Sequence, residues 1–168
     1  MGFKKTSDTI AISFGLAELA ANTFVQEEIA LQLDVLNNEI FVCVAADLDL
    51  TPPDATAATD TATTASICAT SQATVTNLSN SNCIATARDS IQARGFVDGG
   101  VAFARSVDSS FPGDVDYIAL ISTNNFFVQL SGTANTDPKN VTGRLWGYRA
   151  RADASTYAAL VQSEVLSA

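Results

Sequence analysis

Between Val25 and Leu50 the residues alternate in character. Val25, Ile29, Leu31, Leu33 and Val35 fall on one parity, and Gln26, Glu28, Gln32 and Asp34 on the other. Beyond Asn37-Asn38, the run Ile40, Val42, Val44, Leu48 and Leu50 alternates with Phe41, Cys43, Asp47 and Asp49. A period of two held over this length belongs to strands with one buried face. Two long strands are therefore expected. Asn tolerates the positive φ that a two-residue turn demands, so the two strands read as a hairpin closed at Asn37-Asn38. On this parity Cys43 points away from the main apolar face.

Pro52-Pro53 ends the second strand, because proline cannot donate to a ladder. Residues 51–82 are mostly Thr, Ala and Ser. Such a stretch buries little apolar area and reads as a long excursion, with short strands at most around Ala73 to Leu78. Ser81 or Asn82 is expected to cap a short helix through Ala93, since Ile84, Ala87, Arg88 and Ile91 recur at helical spacing and Gly95 follows. Strands are expected over Phe96 to Arg105 (bent at Gly99-Gly100), Val115 to Ser122, Phe126 to Ser131 and Val141 to Arg151. Pro112-Gly113, Thr123-Asn124-Asn125 and Asp137-Pro138-Lys139-Asn140 separate them as turns. Asp153 or Ser155 caps a C-terminal helix carrying Tyr157, Leu160, Val161 and Val165. Residues 1–23 read as an arm, partly helical over Leu16 to Ala21. The total is about seven or eight strands with no βαβ rhythm. The expected fold is all-β: an antiparallel β-sandwich or jelly roll over 24–152, with an N-terminal arm and a short C-terminal helix over 153–168.

With 168 residues, 47% of them hydrophobic, the chain suits one domain with a sizeable core. No apolar run approaches the ~20 residues of a membrane-spanning helix. The longest, Ile10 to Ala21, is broken by Ser13, Gly15 and Glu18. Glu18 also argues against reading Lys4-Lys5 and that run as a secretory signal. Met1-Gly2 with Thr6 matches a myristoylation pattern and no more than the pattern. Eighteen acidic residues stand against 9 basic ones, for a net charge of −9. That sign repels phosphate, so direct nucleic-acid binding is not expected. An Asp-rich, Lys-poor surface suits a saline medium that screens its self-repulsion.

Histidine is absent. The usual general base, the Ser-His-Asp and Cys-His sites and most transition-metal sites go with it. Cys43, Cys68 and Cys83 are widely spaced, with no Cys-x-x-Cys. Cys43 reads as a small buried hydrophobe. Cys68 and Cys83 leave both a disulfide and two free thiols open. Asp47 with Asp49, and Asp114 with Asp116, each point to one face of a strand. They read either as a hydrolytic or calcium-binding pair or as solvated residues, and the second is the plainer reading. Asp47, Asp49 and Asp54 are the best calcium candidates, although their spacing is not that of an EF-hand. Gly95, Gly99 and Gly100 match no phosphate-binding loop. No catalytic residue, metal or cofactor is assigned, and no enzyme activity is expected.

Two aromatic groups stand out. Arg144, Arg149 and Arg151 flank Trp146 and Tyr148, a pattern that fits a stacking platform for sugar or single-stranded nucleic acid, or plain core packing. Phe126-Phe127 puts one ring on each face of its strand, as happens where both faces are buried or one forms an interface. Phe126, Phe127, Trp146 and Tyr148 are therefore expected as core or interface contacts.

Together these residues resemble a single jelly-roll capsid protein of an icosahedral virus. The resemblance rests on Val25 to Leu50 as an early pair of long strands, Val115 to Leu130 as a later pair and Val141 to Arg151 as a closing strand. The 51–82 stretch resembles the long inter-strand loops of such subunits. The arm and the C-terminal helix resemble tails that lock neighbours. The resemblance implies self-assembly into a shell within the virion, without catalysis, beside copies of itself and other virion proteins. The arm offers only Lys4 and Lys5, a departure that points away from genome contact and toward a shell over an internal membrane or second layer. Two other classes fit the same residues. One is an extracellular filament or surface-layer subunit joined by strand addition, with the arm as donor. The other is a carbohydrate-binding β-sandwich module using Trp146 and Tyr148.

Overall fold

Ten strands and one long helix form from residues 2–95, 103–108 and 115–167, the part of the chain that this computed structural model describes. The strands are β1 (Phe3–Lys5), β2 (Ile10–Ala17), β3 (Val25–Ala30), β4 (Glu39–Leu50), β5 (Thr61–Cys68), β6 (Cys83–Gln92), β7 (Phe103–Asp108), β8 (Ala119–Ile121), β9 (Asn125–Thr133) and β10 (Asn140–Ala152). The helix is α1 (Ala154–Leu166). They make two five-stranded antiparallel sheets. In the first, β10 lies between β4 and an edge shared by β1 and β2, and β8 lies beyond β4. The second runs β3-β9-β5-β6-β7. The chain is an all-β sandwich with one C-terminal helix.

The core fills the space between the sheets with Phe41, Ile67, Ile121, Phe126, Leu130 and Leu145 among its fully buried members. A second cluster, Ile40, Val42, Ala150 and Ala152, lies on the outer face of the first sheet. There α1 covers it with Tyr157 and Leu160. Asp153 caps the helix as expected, its Oδ1 accepting from the Thr156 N–H at 2.7 Å.

The strong alternation of β4 conceals a bulge. Gly147 pairs with Cys43 and Trp146 with Ala45, leaving Val44 unmatched. One extra residue reverses which parity faces inward. Phe41 and Cys43 therefore point into the core before the bulge, and Ala46, Leu48 and Leu50 after it. Cys43 is thus a core residue, fully buried, and not on the opposite face as its parity implied.

The expected hairpin at Asn37-Asn38 does not form. Strand β3 belongs to the second sheet and β4 to the first, so 31–38 crosses the end of the sandwich. Asn38 does take a positive φ of 53°, and so does Gln32 at 55°. Leu31 and Leu33 continue the apolar alternation past the strand and plug the core. The Arg149 guanidinium holds the crossing, donating to the Leu31 and Gln32 carbonyls at 2.5 and 3.0 Å and to Glu39 Oε1 at 2.6 Å. The turn at 123–124 likewise joins β8 to a strand of the other sheet.

The Thr/Ala/Ser stretch is not an unstructured excursion. Its residues 61–68 form β5, a strand with seven of eight residues buried. Threonine favours extended backbone, and small neighbours let two sheet layers and a covering loop close over it. Three of its four hydroxyls find acceptors: Thr61 bonds the Asp54 carbonyl at 2.7 Å, Thr64 the Ser131 carbonyl at 3.0 Å and Ser66 the Gln129 side chain at 2.7 Å, whereas the buried Thr63 hydroxyl has no partner among the described residues. Residues 73–78, expected as short strands, lie instead in the loop that covers this face.

The expected 82–93 helix is strand β6. Ile84 is the extra residue of a second bulge, opposite Ile67 and Cys68, and so reaches the core beside Ala85 and Ala87. That bulge produces the i, i+3 apolar spacing that reads as a helix. The arm is also part of the sheet: β1 and β2 pair with β10, and no helix forms over Leu16 to Ala21. Within the expected 96–105 strand, only Phe103 onward is described. Gly99-Gly100, Pro112-Gly113 and Asp114 lie outside the described residues.

Candidate functional site

The two ends of the sandwich are built differently. At one end a polar clamp joins three loops. Glu18, at 5% exposure, accepts from the Thr23 N–H at 2.9 Å, the Gly132 N–H at 3.0 Å and the Lys139 N–H at 2.8 Å. The buried Lys139 ammonium reaches Asp54 Oδ1 at 2.6 Å. Asp54 also accepts from the Thr136 N–H and hydroxyl, both at 2.8 Å, and from the Asp137 N–H at 3.1 Å. The Lys139 ammonium, then these donors, hold its carboxyl well below the usual carboxylate range. Asn135 completes the clamp, accepting from the Asp54 N–H at 3.0 Å and donating to the Ala62 carbonyl at 2.9 Å.

At the opposite end α1 docks through a buried carboxylate. Glu164 accepts from the Ser122 N–H at 2.7 Å and the Thr123 N–H at 3.2 Å, and its carbonyl receives Asn82 Nδ2 at 3.3 Å. Asn124 bonds Leu31 and Leu33 at the same end. Large apolar side chains are left in solvent here: Val35 and Leu36 on the crossing, Val165 and Leu166 on the helix. Leu36 is 95% exposed. Desolvation raises the nearby Cys43 thiol, and the Glu164 charge adds to the effect.

Helix α1 leaves part of the first sheet's outer face open. Three rows cross β2, β10 and β4 there. Ala11, Trp146 and Ala45 form one, Ser13, Arg144 and Asp47 the next, and Gly15, Thr142 and Asp49 the third. Ser13, Asp47, Asp49, Thr142, Arg144 and Trp146 line a shallow groove. Trp146 stands between two alanines and is partly exposed.

The four expected contact residues separate. Phe126 is fully buried and packs edge-on against Phe14 at 6.1 Å. Phe127 lies on the other face of β9, half-buried, opposite Glu28 and Cys68 in register. Trp146 lies in the open groove. Tyr148 packs in the cluster beneath α1, with Lys5 Nζ 4.6 Å from its ring centre. Trp146 and Tyr148 therefore do not make one joint platform.

Asp47 and Asp49 share the outer face of β4, but Asp54 is committed to the clamp at Lys139. Among the described residues, no three His, Cys, Asp or Glu side chains gather as a metal site. Among those residues, too, no helix is long and apolar enough to cross a membrane. Glu18, Lys139 and Glu164 were not singled out by motif or spacing. Glu18's place inside an apolar run and the scarcity of lysine were the only signals. Comparison with family models, curated proteins and solved structures finds no match.

Proposed function

We propose that the chain is a single jelly-roll capsid subunit of an icosahedral virus, assembling with copies of itself. One observation carries the reading. The antiparallel pairs β2 with β10, β3 with β9, β4 with β8 and β5 with β6 are nested. Rolling one long hairpin gives this nesting, and it sends β2 to β5, and again β8 to β10, alternately to the two sheets, which fits the plan of a jelly roll. Strand β7 then extends the second sheet from β6.

Other features support a structural protein over an enzyme. Both loop ends are fixed by buried carboxylates, a use of charge that stiffens a subunit. The exposed Val35, Leu36, Val165 and Leu166 supply apolar area for a neighbour to cover. In this reading the protein is part of the virion, its partners are its own copies and other virion proteins, and its acidic surface faces a membrane or second layer rather than nucleic acid. Sedimentation across a salt series tests it. Salt screens the −9 charge, so assemblies larger than ten-fold in mass are expected to form as salt rises.

A second reading, a glycan-binding surface, is favoured by the partly exposed Trp146 between Ala11 and Ala45, with Asp47 and Arg144 adjacent. A stacked sugar ring and its hydroxyls suit such a surface. Binding to a glycan panel that Trp146→Ala abolishes without lowering the melting temperature would establish it. An unchanged response would remove it.

A further inference from the structure

We propose that Cys68 and Cys83 form a reversible disulfide that pins the 69–82 loop to the second sheet. The two residues are direct cross-strand partners at the ends of β5 and β6, joined by that loop. Opposed residues in antiparallel strands have Cα atoms about 4.5–5.5 Å apart. That lies within the span of about 4.4–6.8 Å that a disulfide bridges. The two thiols face one another across this register pair, and no disulfide joins them in the structure. Thr76, folded back from the loop, places its hydroxyl 2.8 Å from the Cys68 sulfur, and Cys83 donates to the Ala85 carbonyl at 3.5 Å.

The pair is also asymmetric. Cys68 is fully buried, whereas Cys83 is partly open to solvent. The neighbouring Cys68 thiol, with Thr76 and the Ala85 carbonyl adding to it, brings the Cys83 thiol down from its ordinary value. The Cys83 neighbour and burial push Cys68 up. Cys83 is therefore the thiolate that meets an external oxidant, and Cys68 resolves the product.

With a small-molecule disulfide such as oxidised glutathione as oxidant, the step balances. The Cys83 thiolate attacks one glutathione sulfur, a mixed disulfide forms and one glutathione thiolate leaves. Cys68 loses its proton and attacks the Cys83 sulfur, and the second glutathione leaves as thiolate. Two cysteine thiols are oxidised to one disulfide, and one glutathione disulfide is reduced to two thiols. Cys43 takes no part, being sealed in the core. The inference does not depend on the capsid reading.

The folded chain is incubated with oxidised glutathione, then denatured, alkylated and mapped by peptide mass spectrometry. The expected product is one monomeric species with Cys43 alkylated and a Cys68–Cys83 linked peptide, reversed by dithiothreitol. Its melting temperature should rise by roughly 5–10 °C. Cys68→Ser should stop the reaction at a glutathione adduct on Cys83, and Cys83→Ser should leave no modified cysteine. Three alkylated cysteines in the oxidised wild-type chain, a persistent adduct at Cys83 or a bond between chains would each overturn the proposal.

Discussion

Replacing Glu18 with alanine is expected to destabilise the fold by about 4 kcal/mol. The carboxylate is buried and accepts backbone N–H groups from residues 23, 132 and 139. Removing it strands three donors on three segments at once. Each buried unpaired donor costs about 1–3 kcal/mol, and local water access moderates the sum. Glu18→Gln keeps one acceptor oxygen but turns an NH₂ toward an N–H, so about half the loss is expected. Urea unfolding reads both variants as a lower midpoint at unchanged slope. A loss under about 1 kcal/mol for the alanine variant would mean that the loops hold without the clamp. The same end is acid-sensitive through Asp54. Its folded carboxyl titrates below its unfolded value, so its contribution is present above about pH 4 and is lost as pH falls toward the folded value. Asp54→Asn should flatten the stability curve over that acid limb and leave its slope at neutral pH unchanged.

Gly147→Ala is expected to cost about 3 kcal/mol or more. A Cβ at this position would stand 2.4 Å from the Val42 carbonyl oxygen and 2.5 Å from Cε1 of Phe41. The oxygen is backbone, so it yields only if β4 and β10 separate at the bulge. Phe41 is 1% exposed and has no space to move into. Gly15 on β2 is the internal control, because its nearest atoms would be 3.8 Å away. Gly15→Ala should stay within about 0.5 kcal/mol of the parent. Thermal melts of the two variants separate a packing requirement at Gly147 from a general intolerance of alanine in these strands. Similar melting temperatures for both would contradict the tight bulge.

The sequence carried the strands better than their partners. Alternation over Val25 to Leu50 correctly marks strand, yet a hairpin and a crossing between sheets share the same alternation. Only Leu31 and Leu33, apolar beyond the strand end, hinted at the crossing. The bulge at Val44 was invisible because an apolar residue occupies the extra position and keeps the pattern intact. The bulge at Ile84 went further and imitated a helix. Residues 61–68 failed the apolar test because their burial rests on small side chains and on hydroxyls of which three in four are bonded. The Asp153 cap was legible because capping is local in sequence. The Glu18 clamp was not, since its partners lie up to 121 residues away and present only backbone N–H groups.

The most direct test of the capsid reading is electron microscopy of the purified chain across a salt series. Closed shells or closed rings of uniform diameter, appearing as salt rises, are the predicted result. Monomers at every salt and concentration, or open filaments, would contradict it.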